Sequence, residues 1–428
     1  MIEQAIWRWN PWWAEKMVPE ELTGIRRDIT ESIIKTLKTR YIKDVIGVRR
    51  SGKTTVLYQV ADHLIKSGIH PKNIMLLNFD DPAINATPFD TILTDIYKLN
   101  PDISHLFLDE IQQKKGWEQW VRMLYDTKRF DCIFLSGSSA SLLSYDTGRV
   151  LTGRHVTFEV MPLSFAEYLR MRGFENIRPD YLIYNREKLL HYLSAYLEEG
   201  GFPESTGLDE FNHKKILTAL YNDIIARDVA SGFGASYDIT GRICQFMLTN
   251  TTGEYSFNSI AKNSGVTVET AEKYIAYLKE SLLIMDLPLF SYKLKSQFRH
   301  NKKTYAIDTG LRNEVSFRFS LDIGKLAENA VFLELNRRYD EIYYWKDKGG
   351  FEVDFVIKNG QNIQTLIQVC WNADNEKTRK REENSLIRAC KEFKLKSGMI
   401  LTEDLCETVL REGVTIEYYP LWRWLCRI

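Results

Sequence analysis

Residues 41–55 read YIKDVIGVRRSGKTT, a short apolar strand running straight into Gly47-x-x-x-x-Gly52-Lys53-Thr54 and then a helix. Glycines let the backbone wrap closely enough for successive N–H groups to face phosphate oxygens, and the positive end of the helix dipole adds to the attraction. Lys53 supplies a point charge for the β- and γ-phosphates, and the Thr54 hydroxyl is placed to ligate Mg2+. Arg49, Arg50, Ser51 and Thr55 complete the candidate phosphate-binding set. The context such a loop needs is present. Ile42, Val45 and Ile46 precede it, and Val56, Leu57, Val60, Ala61 and Leu64 follow at helical spacing. The stretch predicts a P-loop that binds ATP and Mg2+.

Strands and helices alternate beyond the loop, the pattern of a parallel sheet covered on both faces. Candidate strands are 73–79, 104–108 and 131–136, with an amphipathic helix at 117–128. The strand at 104–108 delivers Asp109-Glu110 at its carboxyl end. Asp109 is the candidate outer ligand of Mg2+, and Glu110 the candidate base that orients or deprotonates the attacking water. Ser136 and Ser138, after the next strand, are placed to reach the γ-phosphate or that water; capping of a helix by Ser138 or Ser139 is the equal alternative. The string LSGSS resembles a transporter-ATPase signature, but that signature precedes the acidic pair and here it follows, so the transporter reading is rejected. Arg154 is a candidate charge stabiliser for the transition state, in cis or toward a neighbouring subunit, or a structural ion-pair partner. Asp80-Asp81 reads as a turn before Pro82. Trp7, Trp9, Trp12 and Trp13 around Pro11 read as an apolar strap rather than a stacking surface.

A chain of 428 residues suggests about three domains of roughly 150 residues each. The 57 basic and 57 acidic residues cancel, so an argument for nucleic acid has to be local. Six scattered cysteines show no CxxC pair and no metal spacing, which points to reduced thiols. No signal-peptide pattern opens the sequence, and the longest apolar stretch, 281–290, is broken by Asp286 and too short for a bilayer. A soluble cytoplasmic protein without membrane contact is the expectation.

Residues 161–235 read as helices at 165–170, 187–197 and 211–229 around the turn Gly200-Gly201-Phe202-Pro203. Within 236–310, helices at 256–263 and 267–281 flank the turn Ser264-Gly265-Val266 at helix-turn-helix spacing. The following run SYKLKSQFRHNKKT carries Lys293, Lys295, Arg299, Lys302 and Lys303 and no acidic residue. A hairpin tip of that composition suits contacts with the phosphates of double-stranded DNA, without reading sequence. A solvated loop is the plainer alternative.

Taken together, these strings resemble a family of archaeal and bacterial AAA-superfamily ATPases. Its C-terminal half is a winged helix followed by a domain of unknown function related to restriction endonucleases. The matching segments are GVRRSGKTT, FLDEIQ before Trp117, SGSS, TGR at 152–154, MPLSFAEY at 161–168, GGFPE at 200–204 and ARDV at 226–229. GKLAENAVFLEL, EVDFVI, IQVCW, RKREE and YPLWRWL extend the match toward the C-terminus. The resemblance implies an α/β fold: an AAA-like sheet over 1–160, a helical lid over 161–235, a winged helix over 236–310 and a restriction-endonuclease-like α/β domain over 311–428.

Such endonucleases place an Asp on one strand and Glu-x-Lys on the next, often with a Glu from the preceding helix. Glu328 and Asp354 fit the first two places, but Gln368-Val369-Cys370 occupies the third. An amide removes a charged metal ligand, and cysteine cannot replace the cation. Lys358 and Lys377 are possible substitutes that nothing in the sequence positions. The expectation is a degenerate site on a binding scaffold, with Arg379, Arg381 and Glu382 starting a helix along the same surface. The expected activity is an ATPase that couples hydrolysis to DNA binding or remodelling as a homo-oligomer. The alternatives are a nucleotide-gated switch acting on a protein partner, and an ATP-regulated nuclease.

Overall fold

The computed structural model describes residues 2–137, 150–174, 179–293, 301–316 and 322–427. The chain divides into two compact units, Met1–Pro162 and Leu163–Ile428.

In the first unit, five strands form a parallel sheet among the described residues: β1 (Ile42–Ile46), β2 (Ile74–Asn78), β3 (His105–Asp109), β4 (Cys132–Gly137) and β5 (His155–Glu159). Their order is β2-β3-β4-β1-β5. All strands but β5 are buried along their whole length, as near-continuous apolar runs require when both faces are covered. Helices α1 (Ile2–Trp9), α2 (Asp28–Ile34), α3 (Lys53–Lys66), α4 (Phe89–Leu99) and α5 (Trp117–Asp126) contribute to the same core. Because the strands are parallel, the carboxyl ends of β1, β3 and β4 lie on one edge of the sheet, where ligands of such sheets bind.

The opposite problem, an unpaired edge strand, is solved at β2. Asn10 Nδ2 donates to Leu76 O at 2.8 Å while Leu76 N donates to Asn10 Oδ1 at 2.7 Å. The Trp12 and Trp13 indoles both donate to Ile74 O, at 3.1 and 2.8 Å. The tryptophan-rich segment is thus the strap expected from its composition. It also covers backbone groups that would otherwise be a template for strand addition.

The second unit begins with α6 (Phe165–Met171), α7 (Arg186–Glu199) and α8 (Glu210–Asp223), the last running on as a π-helix over Ile224–Ser231. Next come α9 (Tyr237–Thr249), β6 (Glu254–Tyr255), α10 (Phe257–Ser264), α11 (Val268–Glu280), β7 (Ile284–Leu287) and β8 (Lys302–Ala306). The three strands pair antiparallel in the order β6-β8-β7. Thr267 caps α11 by accepting from Thr270 N at 3.2 Å. Helix α12 (Thr309–Val315) returns to the opening helices, with the Asp308 carboxylate accepting from Gly201 N at 2.6 Å.

Helix α13 (Ile323–Asn336) then leads into a mixed six-stranded sheet of β9 (Ile342–Lys346), β10 (Glu352–Asn359), β11 (Asn362–Val369), β12 (Ser397–Thr402), β13 (Glu407–Arg411) and β14 (Val414–Pro420). The order is β13-β14-β12-β11-β10-β9, with β11, β12 and β14 parallel. Helix α14 (Glu376–Phe393) packs Leu386, Ile387, Ala389 and Cys390 against one face of this sheet. From Leu163 on, the segments set apart by the sequence at 161–235, 236–310 and 311–428 fall within this one compact unit. Among the described residues, no helix is long and apolar enough to cross a membrane.

Candidate functional site

Strand β1 ends at Ile46, and the loop to α3 is shaped by two glycines. A Cβ on Gly47 would lie 2.3 Å from Val160 O and 2.8 Å from Ser51 Oγ, so no larger residue fits. Gly52 has φ +96°, a backbone that L side chains rarely adopt, and it caps α3. Among the described residues the buried Ser51 hydroxyl has no hydrogen-bond partner. A buried orphan hydroxyl in a glycine-framed loop at a helix N-terminus fits a phosphate group. Lys53 is 6% exposed, and its Nζ folds back on Gly47 O at 3.2 Å and Val48 O at 3.3 Å.

Opposite the loop, the end of β3 presents a fully buried Asp109. Its Oδ2 accepts from Thr54 Oγ1 and Asn78 Nδ2, both at 2.9 Å, and its Oδ1 accepts from Ser136 Oγ. Burial raises the Asp109 carboxyl to about 6; the neighbouring Glu110 charge adds to this, while Ser136, Thr54 and Lys53 oppose it. Glu110 itself sits at φ +51°, a conformation a non-glycine residue holds only when its surroundings enforce it. Its N–H donates to Ser136 Oγ at 3.2 Å, and Gln112 Nε2 donates to its Oε2 at 2.6 Å. The other carboxylate oxygen lies 3.9 Å from Lys53 Nζ. Two carboxylates, two hydroxyls and a lysine therefore converge on the phosphate loop. Thr54 and Asp109, already in contact, are the pair that could hold a divalent ion beside bound phosphates.

A second polar cluster lies in the other unit, within a cavity of about 520 Å³ lined by Glu328, Glu352, Asp354, Gln368, Arg381 and Glu382 among others. Asp354 on β10 faces Gln368 on β11, whose Oε1 accepts from Asp354 N at 3.1 Å and whose Nε2 donates to Glu382 Oε2 at 2.7 Å. Lys303 on β8 reaches the same carboxylates, with Nζ 3.1 Å from Glu328 Oε1, 2.7 Å from Glu352 Oε1 and 3.2 Å from Asp354 Oδ1. Burial lifts the Glu328 carboxyl to about 7, against the pull of Lys303, and raises that of Asp354 as well.

Comparison with known proteins gives these sites a context. Residues 39–169 match the model of an AAA domain, 190–322 a domain of unknown function (DUF8612), and 323–422 another (DUF4143). The protein MJ1544 of Methanocaldococcus jannaschii is 35% identical over 420 residues, covering 94% of this chain and 90% of that one. The chain belongs to the MJ1544 family of AAA-domain proteins. A protein of Haemophilus influenzae is 27% identical over 412 residues, covering 93% of this chain and 98% of its own. Among solved structures, the Aeropyrum pernix Orc1 protein in complex with DNA aligns at 10% identity and a TM-score of 0.30, over 72% of this chain and 95% of that one.

In this MJ1544-family chain the loop residues, Asp109, Glu110 and Ser136 come together as described. Arg49 is half-buried, Arg50 is exposed at φ +65°, and Thr55 is half-buried on α3. Ser138, Lys295 and Arg299 lie outside the described residues. Arg154 is corrected as a catalytic group acting in cis. It precedes β5 at the amino-terminal edge of the sheet, where its carbonyl pairs with Ile42 N, and its guanidinium bonds Asp126 at 3.0 Å. A five-residue strand separates that edge from the phosphate loop by roughly 15 Å. Its place there is that of an ion-pair partner. Lys303 is corrected as a DNA contact, being 3% exposed and bonded inside the protein. Lys302 pairs with Asp286 at 3.4 Å, while Lys293 is exposed. Lys358 pairs with Glu341 and Lys377 is exposed on α14, so neither fills the lysine place.

Two functional candidates escaped the sequence. Asn78 ends an apolar strand with a polar group, the same signal that revealed Asp109. Arg27 carried no signal at all. It is 4% exposed and donates from Nη1 to Ser51 O at 2.8 Å and from Nη2 to Met161 O at 2.7 Å. Gln59 of α3 holds this arginine's segment through Thr23 O, Ile25 O and Arg27 N. In a trans peptide the carbonyl and the next N–H point in opposite directions. By fixing Ser51 O outward, Arg27 turns the Gly52 N–H into the loop.

Proposed function

We propose that this protein is a Mg2+-dependent ATPase that drives contact with double-stranded DNA. The observation that carries the hydrolytic reading is the junction of Thr54, Asp109, Ser136 and Glu110 beside a loop whose Ser51 hydroxyl is unsatisfied. Backbone N–H groups and Ser51 receive the phosphates, and Lys53 leaves the carbonyls of Gly47 and Val48 to meet the β/γ pair. Thr54 and Asp109 would hold Mg2+, which would neutralise phosphate charge. Ser136 orients Asp109 and the Glu110 backbone at once. Gln112 fixes one oxygen of Glu110, leaving the other to orient the attacking water and take its proton.

The reading is tested by ATP turnover. Lys53→Ala is expected to lose nucleotide binding, and Glu110→Gln to bind ATP while hydrolysing it at least 100-fold more slowly, on the order of general-base effects. Equal turnover in Glu110→Gln would remove Glu110 from the role of base.

The DNA part rests on the helix–strand–helix–helix–hairpin order of 237–306, read as a winged helix, with exposed Lys293 beside it. The 323–427 region is read as a restriction-endonuclease-like scaffold, and assembly as a homo-oligomer goes with the AAA reading. The internal commitment of Lys302 and Lys303 favours a second reading, nucleotide-gated action on a protein partner. Titration of duplex DNA at several salt concentrations separates the two. Binding that weakens with salt and with Lys293→Glu supports the first; no binding at low salt supports the second.

A further inference from the structure

The Glu328–Asp354 cavity stands where restriction-endonuclease-like domains bind a divalent metal, and the residues present do not fit one. The Lys303 ammonium donates to Glu328 on α13 and Asp354 on β10, and Glu352 of β10 lies 2.7 Å away as a third carboxylate in the ion-pair cluster. Other acceptor positions are also taken. Tyr305 donates its hydroxyl to Glu328 Oε1 at 2.8 Å, and Val369 N donates to Asp354 Oδ2 at 3.0 Å. Lys303 is 3% exposed and cannot leave for solvent without opening the cluster. Among the described residues, no group of three or more His, Cys, Asp or Glu is arranged to hold a metal ion. Where the third catalytic carboxylate is expected stands Gln368, its amide committed to Asp354 N and Glu382.

We infer that Lys303 is the resident cation of this cavity: its ammonium takes the place of the divalent metal, and the carboxylates serve it rather than phosphodiester cleavage. The lysine comes from the three-stranded sheet and its carboxylates from α13 and the six-stranded sheet, so the same contact ties the two sheets together. A metal bound at these oxygens would have to lie against a positive charge with no other buried partner set to move to. The inference is independent of whether the first unit hydrolyses ATP.

The test is Mn2+ binding to the full chain, read by the electron paramagnetic resonance signal of free Mn2+. An Asp109→Asn background silences the nucleotide site. The parent with Lys303 is expected to bind no Mn2+ that depends on Asp354. Lys303→Met, similar in length and uncharged, is expected to gain about one Mn2+ per chain and to lose it again when Asp354→Asn is added. Lys303→Arg keeps the charge and guards against a Met variant that does not fold; it is expected to bind no metal. Asp354-dependent Mn2+ in the parent or in folded Lys303→Arg overturns the inference. So does a folded Lys303→Met that gains none.

Discussion

Replacing Arg27 by Met tests whether the phosphate loop is held in shape from behind. Methionine keeps much of the volume and removes two charged donors, at 2.8 Å to Ser51 O and 2.7 Å to Met161 O. Hydrogen bonds to charged groups contribute about 1.5–3 kcal/mol each, and a buried carbonyl left unpaired costs about 1–3 kcal/mol. Arg27 is 4% exposed, so water cannot replace both donors without disturbing the packing. A stability loss of about 2–4 kcal/mol follows if the loop relaxes to recover part of the loss. The Ser51–Gly52 peptide is then free to rotate, and the Gly52 N–H no longer waits for phosphate. Losing that preorganisation should weaken a non-hydrolysable ATP analogue by 10- to 100-fold, which is about 1.4–2.7 kcal/mol. Calorimetric titration gives the affinity, and urea unfolding of the same variant gives the stability. Arg27→Lys, able to reach one carbonyl but not both, should fall between. Unchanged affinity in a folded Arg27→Met variant refutes the argument, because a brace that only stabilises the fold leaves nucleotide binding intact.

Two further outcomes concern the same unit. His155 Nδ1 is hydrogen-bonded to the buried Asp44 carboxylate. That bond raises the His155 pKa above 6.5, and burial raises that of Asp44 above 3.8 even against the histidine. For both groups the folded value is raised, so their contribution is full below the unfolded value and is lost as pH rises through the folded one. The stability of this unit should therefore decline as pH rises above about 6.5, and His155→Gln should flatten that slope in urea unfolding. At the sheet edge, Asn10→Leu removes both bonds to Leu76 and exposes β2; a loss of about 2–4 kcal/mol and self-association visible by light scattering are expected.

What the sequence disclosed was whatever depends on neighbours along the chain. The β1–loop–α3 unit is a local pattern of apolar period and glycine placement, and Asp109 announces itself by ending an apolar strand. Asn78 sends the same signal at the end of β2, outside the motif that singles out Asp109. Arg27 could not be found that way, since its partners Ser51 and Met161 are joined to it only by the fold. Lys302 and Lys303, at the end of the basic run, show the opposite error, a composition treated as one surface. Strand β8 alternates, so Lys302 turns toward Asp286 while Lys303 turns inward to Glu328, Glu352 and Asp354. Gln368 and Cys370 were legible in the sequence, but the cation that Lys303 brings to Glu328 and Asp354 from a distant strand was not.

Two of the buried lysines, Lys53 and Lys303, explain each other. Lys53 and Lys303 are 6% and 3% exposed, nearly alike in burial. Their partners differ in kind. Lys53 touches two neutral carbonyls at 3.2 and 3.3 Å and a carboxylate only at 3.9 Å, so its charge is incompletely compensated. A buried cation in that state gains by meeting an anion, and the empty partner of Ser51 marks where one would arrive. Lys303 has three carboxylates within 3.2 Å and gains nothing from a phosphate that would have to displace them. One lysine is poised for a ligand and the other already has its own. The difference lies in the charge and distance of the partners, which is why the motif at 47–54 points to chemistry and the Glu328–Asp354 pocket to architecture.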